Sequence, residues 1–336
     1  MMRTRSFLAL SLAGVMITVL AAGCGSGNGT VPASALSPQE RDVTVAAIPA
    51  VDLAGLYIAQ ARGLFARQGL HVKVVPVPSA QSIIDDQLAS KIDISAGSYV
   101  AYIAAQATGA RFRILAEAST LSPDTRALVV TGSSRITNVA QLAGRKIGVN
   151  GVNSIGTLLV AALLSAHGLS PARVKFVTDP DGFPTMPGTL QRGAWAAAFL
   201  AEPYITAAGQ QYGQQVLVDL DQGSVVNLPV DGYVATQAWA RAHPRTAAAF
   251  TRAIEQGQAI ANRDASAVRA IMARDDGLPP EVTASMALPR YPVGSVAEAE
   301  IQRVARAMGQ SGLLTGEDDT EAGQRILVGS MTSPAS

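Results

Sequence analysis

Short apolar runs alternate with longer segments of helical spacing along most of this chain. Val43–Ile48, Val72–Val77 and Ile92–Ser95 have the composition of buried strands. Leu53–Gln68, between the first two runs, carries apolar residues at helical spacing and ends at Gly69, which suits a helix C-terminus. This alternation predicts an α/β fold with a mostly parallel sheet and helices on both faces.

The same alternation resumes after residue 125. Further strands are predicted over Arg126–Val130, Lys146–Val149, Val174–Val177, Trp195–Leu200 and Gln215–Leu220. From Asp231 onward the pattern is helical, over Thr236–His243, Arg245–Arg263, Ala265–Arg274, Val296–Gly309 and Asp318–Leu327. The pattern therefore predicts two α/β halves and a helical C-terminal region.

The two halves share a weak internal similarity in sequence pattern. In Leu88–Tyr99 and again in Leu190–Tyr204, a helix end leads through a small turn into a buried strand, and then into a loop that opens a helix. Ligands of open α/β sheets bind beside the carboxyl ends of strands, where these loops lie. We therefore expect a small-molecule site in a cleft between the halves.

The N-terminal segment has the pattern of a bacterial lipoprotein signal. Arg3 and Arg5 precede an uncharged, mostly apolar stretch that ends in Leu20-Ala-Ala-Gly-Cys24, which resembles a lipobox. Two alternative interpretations fit less well. A permanent transmembrane helix needs about 20 apolar residues, so this stretch is at the short limit. A plain cleaved signal would leave Cys24 as a free thiol in an oxidising compartment. We predict a signal peptide over residues 1–23, a lipid anchor on Cys24 and a flexible tether over residues 24–41.

Composition excludes several classes of protein. The chain has 26 Lys+Arg and 25 Asp+Glu, only 15% charged residues and 48% hydrophobic residues. This balance supports a large buried core and argues against disorder. Because basic residues are not clustered, nucleic acid is not an expected partner. The single cysteine excludes an intrachain disulfide.

Catalytic and metal-binding motifs are missing from the sequence. His71, His167 and His243 lie far apart without ligand spacing, and there is no phosphate-binding P-loop or nucleophile elbow. Gly148–Gly156 follows a predicted strand, but its glycine spacing differs from that of a dinucleotide site. We predict a binding protein with no enzymatic activity, no cofactor and no metal.

One segment of the first half resembles the opening of substrate-binding proteins of bacterial ABC importers, of the nitrate, sulfonate, taurine and thiamine-precursor type. It reads Leu53-Ala-Gly-Leu-Tyr-Ile-Ala-Gln-Ala-Arg-Gly-Leu-Phe-Ala-Arg-Gln-Gly-Leu-His-Val72. Further matching segments follow in order at Ser90–Ile94, Leu142–Val149 and Glu202-Pro203. The resemblance spans most of Val43–Leu314, with Ala196 where the family usually has Asp and Ser90 where it usually has Gly.

This resemblance implies a periplasmic-binding-protein-like fold of type II, in which two α/β lobes close on a ligand about a hinge. Lobe I would comprise residues 42–124 and 229–326, lobe II residues 125–228, and a C-terminal tail residues 327–336. The implied partners are a small molecule, an ABC permease and its ATPase. The protein would be an extracytoplasmic monomer, anchored to the cell membrane by lipidated Cys24.

Candidate ligand contacts are residues of the strand-end loops and of the return crossing between the lobes. They are Asp52, Leu53, Gly97, Ser98 and Tyr99 in lobe I, Asn150, Asn153, Ser154, Glu202 and Tyr204 in lobe II, and Asp231 and Tyr233 after the crossing. A tyrosine offers a flat ring for stacking and a hydroxyl for hydrogen bonding. Asp52 and Ser154 could instead cap helices, and Glu202-Pro203 could be a structural turn.

The charge of these candidates bears on the ligand. Asp52, Glu202 and Asp231 are acidic, and none of the loops contains an obvious Arg or Lys to bind an anion. The pattern favours an uncharged or cationic heterocycle, such as a pyrimidine-type vitamin precursor, with sulfonate, nitrate or taurine next. Two other functions stay open: a pyrimidine-precursor-forming enzyme on the same bilobal fold, and a ligand-sensing lipoprotein without a permease.

Overall fold

The computed structural model describes residues 36–77, 79–275 and 278–332. Buried apolar runs form two five-stranded sheets. The first contains β1 (Asp42–Ala47), β2 (His71–Pro76), β3 (Ile94–Ser98), β4 (Phe112–Thr120) and β10 (Pro229–Thr236), in the order β2-β1-β3-β10-β4. The second contains β5 (Arg126–Val130), β6 (Lys146–Val149), β7 (Lys175–Thr178), β8 (Ala197–Ala201) and β9 (Gln215–Asp219), in the order β7-β6-β8-β5-β9.

Both sheets are mixed, but in each of them four strands run in one direction and only one runs against them, so the α/β class and the mostly parallel arrangement are confirmed. In the first sheet β10 runs antiparallel between β3 and β4, and in the second β5 runs antiparallel to β8 and β9. The register of the strand pairs explains why β5 and β10 run against their neighbours. Arg126 pairs with Ala201 and Pro229 with Thr120, so after each crossing the chain enters the new sheet at the carboxyl ends of strands and runs back.

Helices flank the sheets. They are α1 (Pro38–Arg41), α2 (Ala54–Ala61), α3 (Leu64–Arg67), α4 (Ala80–Leu88), α5 (Tyr99–Ala107), α6 (Ile155–Ala166), α7 (Met186–Gln191), α8 (Tyr204–Tyr212), α9 (Gln237–Ala242), α10 (Pro244–Arg263), α11 (Ala265–Asp275), α12 (Pro280–Ser285), α13 (Glu298–Gln310) and α14 (Glu321–Thr332). The single helix predicted over Leu53–Gln68 is divided at Gly63, whose φ of 65° lies in the left-handed region. The sequence pattern missed β10 and α12.

Apolar side chains on each face of the sheets form two core clusters. One packs α2, α3, α10 and α11 against the first sheet, with the Phe65 and Phe250 rings stacked at 5.4 Å between centroids. The other extends through the second sheet and includes buried residues of α5, α6 and α13. These layers hold the carboxyl ends of the parallel strands in place, where a ligand site is expected.

The ends of the folded part differ from the sequence prediction. Leu36 is buried, and Thr246 Oγ1 donates a 3.0 Å hydrogen bond to the Glu40 carbonyl, so the end of the predicted tether is fixed to the folded part at these two residues. At the other end α14 continues to Thr332 with Met331 buried, so the tail does not begin at residue 327.

The predicted signal peptide, residues 1–23, and the predicted anchor, Cys24, lie outside the described residues. Among the residues that the structure does describe, no helix is long and apolar enough to span a membrane.

Candidate functional site

A small cavity lies between the two sheets, where parallel strands of both end. The turns after β1 and β3 form its first-sheet wall, and the start of β5 and the loop after β6 form its second-sheet wall. Its volume is about 30 Å³, room for a water-sized or small head group and little more. The lining includes Ile48, Asp52, Leu53, Gly97, Ser98, Arg126, Asn150, Phe183 and Asp231.

A buried ion triad joins the two sheets across this cavity. Arg126, the first residue of β5, places Nη2 2.9 Å from Asp52 Oδ1 and donates a hydrogen bond of 3.2 Å to Asp231 Oδ2. Asp52 lies in the turn after β1, and Asp231 lies in β10. The Arg126 and Asp52 side chains are only 3% and 2% exposed, so water screens their attraction weakly.

The guanidinium of Arg126 is only partly satisfied. Its Nε and Nη1 atoms are buried and have no hydrogen-bond partner within the described part of the chain. The contact with Asp52 also lacks hydrogen-bond alignment, although its distance is that of an ion pair. Leaving a buried polar group without a partner costs about 1–3 kcal/mol, and more when the group is charged. These donors can therefore bind an acceptor group of a ligand.

One member of the triad titrates near neutral pH. Burial, and then the negative charge of Asp52, raise the pKa of Asp231 to about 7, although Arg126 and Ser119 act in the opposite direction. Burial likewise raises the pKa of Glu117, in the neighbouring strand β4, to about 7. The charge of the cavity therefore depends on pH, because protonated Asp231 leaves Arg126 balanced by Asp52 alone.

The second-sheet wall is fixed by hydrogen bonds within the loop after β6. Ser154 Oγ lies 2.8 Å from Asn150 Oδ1 and 2.6 Å from the Gly151 carbonyl, and Thr157 Oγ1 donates to the same carbonyl at 2.7 Å. With Oδ1 of Asn150 engaged, its Nδ2 is the amide atom left to bind a ligand.

Two surface grooves flank the cavity. The first, here called the side groove, has a volume of about 470 Å³ and lies between α4, α5 and the loop after β6. Ala80 and Asn150 line both the side groove and the cavity. The second, here called the proline groove, has a volume of about 770 Å³ and is lined by Pro49, Pro184 and Pro187 among others. The proline groove shares no described lining residue with the cavity.

Half of the predicted contact residues line the cavity. They are Asp52, Leu53, Gly97, Ser98, Asn150 and Asp231. Their contact with a ligand stays a prediction, but their convergence follows from the strand-end positions on which they were chosen.

Two predicted tyrosines lie in the core instead of the cavity. The Tyr99 ring is fully buried against the backbone of Gly232, where an added Cβ would be 2.5 Å from Tyr99 Cε1. The Tyr233 ring is fully buried edge-on to Phe250, with centroids 5.8 Å apart. Residues two positions apart in a strand normally point to the same face, which would place Tyr233 beside the cavity residue Asp231. The register of β10 shifts between these two residues, so their side chains do not line the same wall.

The remaining predicted residues lie beside the cavity. Asn153 lines the side groove, and Ser154 is engaged by the loop hydrogen bonds described above. The Tyr204 ring stacks on Phe183 with centroids 5.8 Å apart and faces the proline groove. Glu202 accepts hydrogen bonds from Thr206 and from the Ala287 backbone N–H, so it connects α8 to the segment after α12. Burial raises the pKa of Glu202.

Arg126 is a buried cavity residue that the sequence pattern missed. The predicted loops do lack an Arg or Lys, but the cavity does not, because Arg126 belongs to a strand that the crossing brings to the cavity. The available signal was a charged residue opening an otherwise apolar buried strand, Arg126-Ala-Leu-Val-Val130. No cluster of three or more metal-binding side chains occurs among residues 36–77, 79–275 and 278–332.

Comparison with known proteins gives related sequences and folds. Residues 50–266 match the family model described as NMT1/THI5 like. The chain is 25% identical over 235 residues, covering 69% of this chain and 71% of the other, to the "Putative aliphatic sulfonates-binding protein" of Escherichia coli (strain K12).

Solved structures of binding proteins share the fold. The alkanesulfonate-binding protein SsuA from Xanthomonas axonopodis pv. citri, bound to MOPS, aligns with a TM-score of 0.70 at 18% identity, covering 82% of this chain and 94% of that one. The periplasmic nitrate-binding protein NrtA from Synechocystis PCC 6803 aligns with a TM-score of 0.73 at 14% identity, covering 87% and 86%. The periplasmic-binding-protein-like fold predicted from the sequence is confirmed.

Proposed function

This chain belongs to the NMT1/THI5-like family, and from that membership we propose that it is the solute-binding component of an ABC importer. Relatives in sequence and fold carry names for the binding of aliphatic sulfonates, alkanesulfonates or nitrate. A cavity at the strand ends of two facing sheets suits this role, because both walls contribute polar groups to one small molecule.

The ligand we propose is a small oxyanion or a molecule with an oxyanion head group, of the sulfonate or nitrate type. The observation that carries this proposal is Arg126, whose buried Nε and Nη1 donors have no partner in the described chain. Charge-assisted hydrogen bonds from a guanidinium to an oxyanion are among the strongest in proteins. Protonation of Asp231 would leave the cavity without net charge, which removes its repulsion of an anion.

A second ligand class is an uncharged or cationic heterocycle, such as a pyrimidine-type vitamin precursor. The observation that favours it is the pair of carboxylates, Asp52 and Asp231, in one cavity, since both can accept hydrogen bonds from amino groups. The two classes differ in what Arg126 does: it binds an anion directly but only balances the carboxylates around a heterocycle.

A ligand panel separates these classes. We expect ethanesulfonate, taurine or nitrate to raise the melting temperature and to give a measurable Kd by calorimetry, with aminopyrimidines inactive. Arg126→Met should weaken anion binding at least 30-fold, because a hydrogen bond to a buried charged group contributes about 2–5 kcal/mol. Arg192→Met is the matched control, since Arg192 is exposed on the second-sheet side. Stabilisation by aminopyrimidines alone would overturn the anion proposal.

The triad also suggests how the protein closes. We propose that residues 42–124 and 229–326 form lobe I, that residues 125–228 form lobe II, and that they rotate about the two crossings. Arg126 of one sheet contacts Asp52 and Asp231 of the other, so an anion on Arg126 would be held between both lobes.

The binding role is proposed in preference to catalysis. His71 lies beside Asp42 on the surface, and the His167 ring contacts the Leu163 carbonyl, so neither histidine lines the cavity. The rival enzyme, forming a pyrimidine precursor, would consume a bound substrate, which mass spectrometry of protein incubated with the panel would reveal.

The cellular setting is proposed from the N-terminal pattern. Cleavage after Gly23 and lipidation of Cys24 would hold a monomeric protein outside the cytoplasm at the cell membrane, close to a permease and its ATPase. Genes for these two partners beside this one would support import, whereas their absence would favour the ligand-sensing lipoprotein.

A further inference from the structure

The cavity at Arg126 is much smaller than the space beside it. Its volume of about 30 Å³ holds a head group, whereas sites for complete small molecules usually measure about 300–1,000 Å³. The side groove, with about 470 Å³, falls within that range. A ligand larger than an inorganic ion therefore needs a second compartment for its remaining atoms.

Shared lining residues make the side groove the compartment next to the cavity. Ala80, at the start of α4, and Asn150, after β6, form part of both. The proline groove is larger but has no described lining residue in common with the cavity. Tyr204 lines the proline groove and Phe183 lines the cavity, and the two rings are stacked on each other.

The walls of the side groove are mainly apolar. Ile84 and Leu88 of α4, with alanines of α5, form one side, and Val152 of the loop after β6 forms the other. Leu88 is 52% exposed and Val152 56% exposed, although large apolar side chains are normally buried. Asp85, which accepts a hydrogen bond from Gln81, is the only charged side chain among the described lining residues.

The geometry points to a tail-binding subsite: the side groove holds the uncharged, apolar tail of a ligand whose anionic head lies at Arg126. Leu88 of α4 and Val152 of the loop after β6, both in the groove lining, are the residues that determine tail specificity. This inference rests on the proposed anion-binding function. Asp85 disfavours a second anionic group in the groove, so the substrate class is a monoanion with an aliphatic or small aromatic tail in preference to a dianion.

Affinity should therefore rise with tail length. Full burial of a methylene contributes about 0.8 kcal/mol, which corresponds to about a fourfold change in Kd. Because the groove is open to solvent, we expect a two- to fourfold decrease in Kd per methylene until the tail passes Leu88 and Val152. Burial of the tail also makes the heat-capacity change of binding more negative with each methylene.

The test is a calorimetric series of linear alkanesulfonates, from methanesulfonate to octanesulfonate. Leu88→Asn/Val152→Asn should flatten the dependence of Kd on length while leaving the Kd of methanesulfonate unchanged, because the head site is untouched. Asparagine adds no charge that could act on the sulfonate at a distance. The matched control is Val216→Asn, which changes a 51% exposed valine on β9 and should preserve the dependence.

The outcomes separate the two proposals. Tight binding of methanesulfonate without a gain along the series, or the same gain in the double variant, overturns the tail subsite and leaves anion binding intact. Failure of every alkanesulfonate to bind overturns the anion-binding function, and the subsite with it. A gain that is present in the wild type and the Val216→Asn control but lost in the double variant establishes the subsite.

Discussion

Replacing Arg126 with methionine should destabilise the folded protein at pH 8 much more than at pH 5. Methionine keeps the length of the aliphatic stem but removes the charge that balances Asp52 and Asp231. At pH 8, above the wild-type pKa of Asp231, the variant leaves the buried Asp52 and Asp231 side chains without a counter-ion, and ionising Asp231 costs more because Arg126 no longer offsets the charge of Asp52. At pH 5 Asp231 is protonated, because its pKa is about 7 even with Arg126 present.

The magnitude follows from the burial of the triad. Removing one partner of a buried ion pair costs about 3–5 kcal/mol, and the 3% exposure of Arg126 places this triad in that class. At pH 5 one of the two acidic partners is neutral, so we expect about half of that loss. Adding Asp231→Asn to the variant removes one unpaired charge, and should recover about 2–3 kcal/mol at pH 8 and little at pH 5.

Urea unfolding at both pH values measures this effect through the free energy of unfolding of the wild type, both single variants and the double variant. The coupling energy between the two substitutions is then obtained directly at each pH. Arg192→Met, on the surface, should change the free energy by no more than about 0.5 kcal/mol. An equal loss at both pH values, or a coupling below about 0.5 kcal/mol at pH 8, would refute an electrostatically coupled triad.

Three further predictions concern the cavity, the core packing of Tyr99 and the N-terminus. Because the folded pKa of Asp231 is raised, its ionisation lowers stability and anion affinity as pH rises through about 7. From pH 5 to 8.5, Asp231→Asn should reduce the dependence of unfolding, to which Glu117 still contributes, and should abolish the dependence of anion binding measured by calorimetry. Gly232→Ala should lower the free energy of unfolding in urea by about 1–3 kcal/mol, because the added Cβ would lie 2.5 Å from the Tyr99 ring. Gly188→Ala is the control and should not destabilise the protein, because no neighbouring atom lies closer than 3.4 Å to the added Cβ. Cells fed radioactive fatty acid should label the wild type but not Cys24→Ser, and label on the variant would contradict lipidation at Cys24.

Strand positions were predictable because each depends on a short apolar run. β5 and β6 begin and end where the sequence pattern placed them. The convergence of Asp52, Ser98 and Asn150 was predictable for a related reason, since residues just after parallel strands meet at one edge of a sheet.

Residues whose roles depend on a crossing were not predictable in this way. β10 pairs with strands more than 100 positions earlier in the chain, and its Pro, Asp and Gly residues weaken the local strand pattern. The partners of Arg126 are Asp52, 74 positions before it, and Asp231, 105 positions after it. A local sequence pattern cannot predict contacts between residues so far apart in the chain.

The division between the two kinds of information follows from the range of the interactions. Apolar periodicity, turn residues and the N-terminal signal pattern act over a few residues, so they specify elements, the α/β class and the expected anchor. Burial and charge balance act through space. The fold decides that Tyr99 and Tyr233 pack in the core, that Glu202 joins α8 to the segment after α12, and that an arginine lies between two aspartates in the cavity. The proposed preference for an anion rests on that arginine, since a guanidinium with unpartnered donors reverses the conclusion drawn from the acidic residues alone.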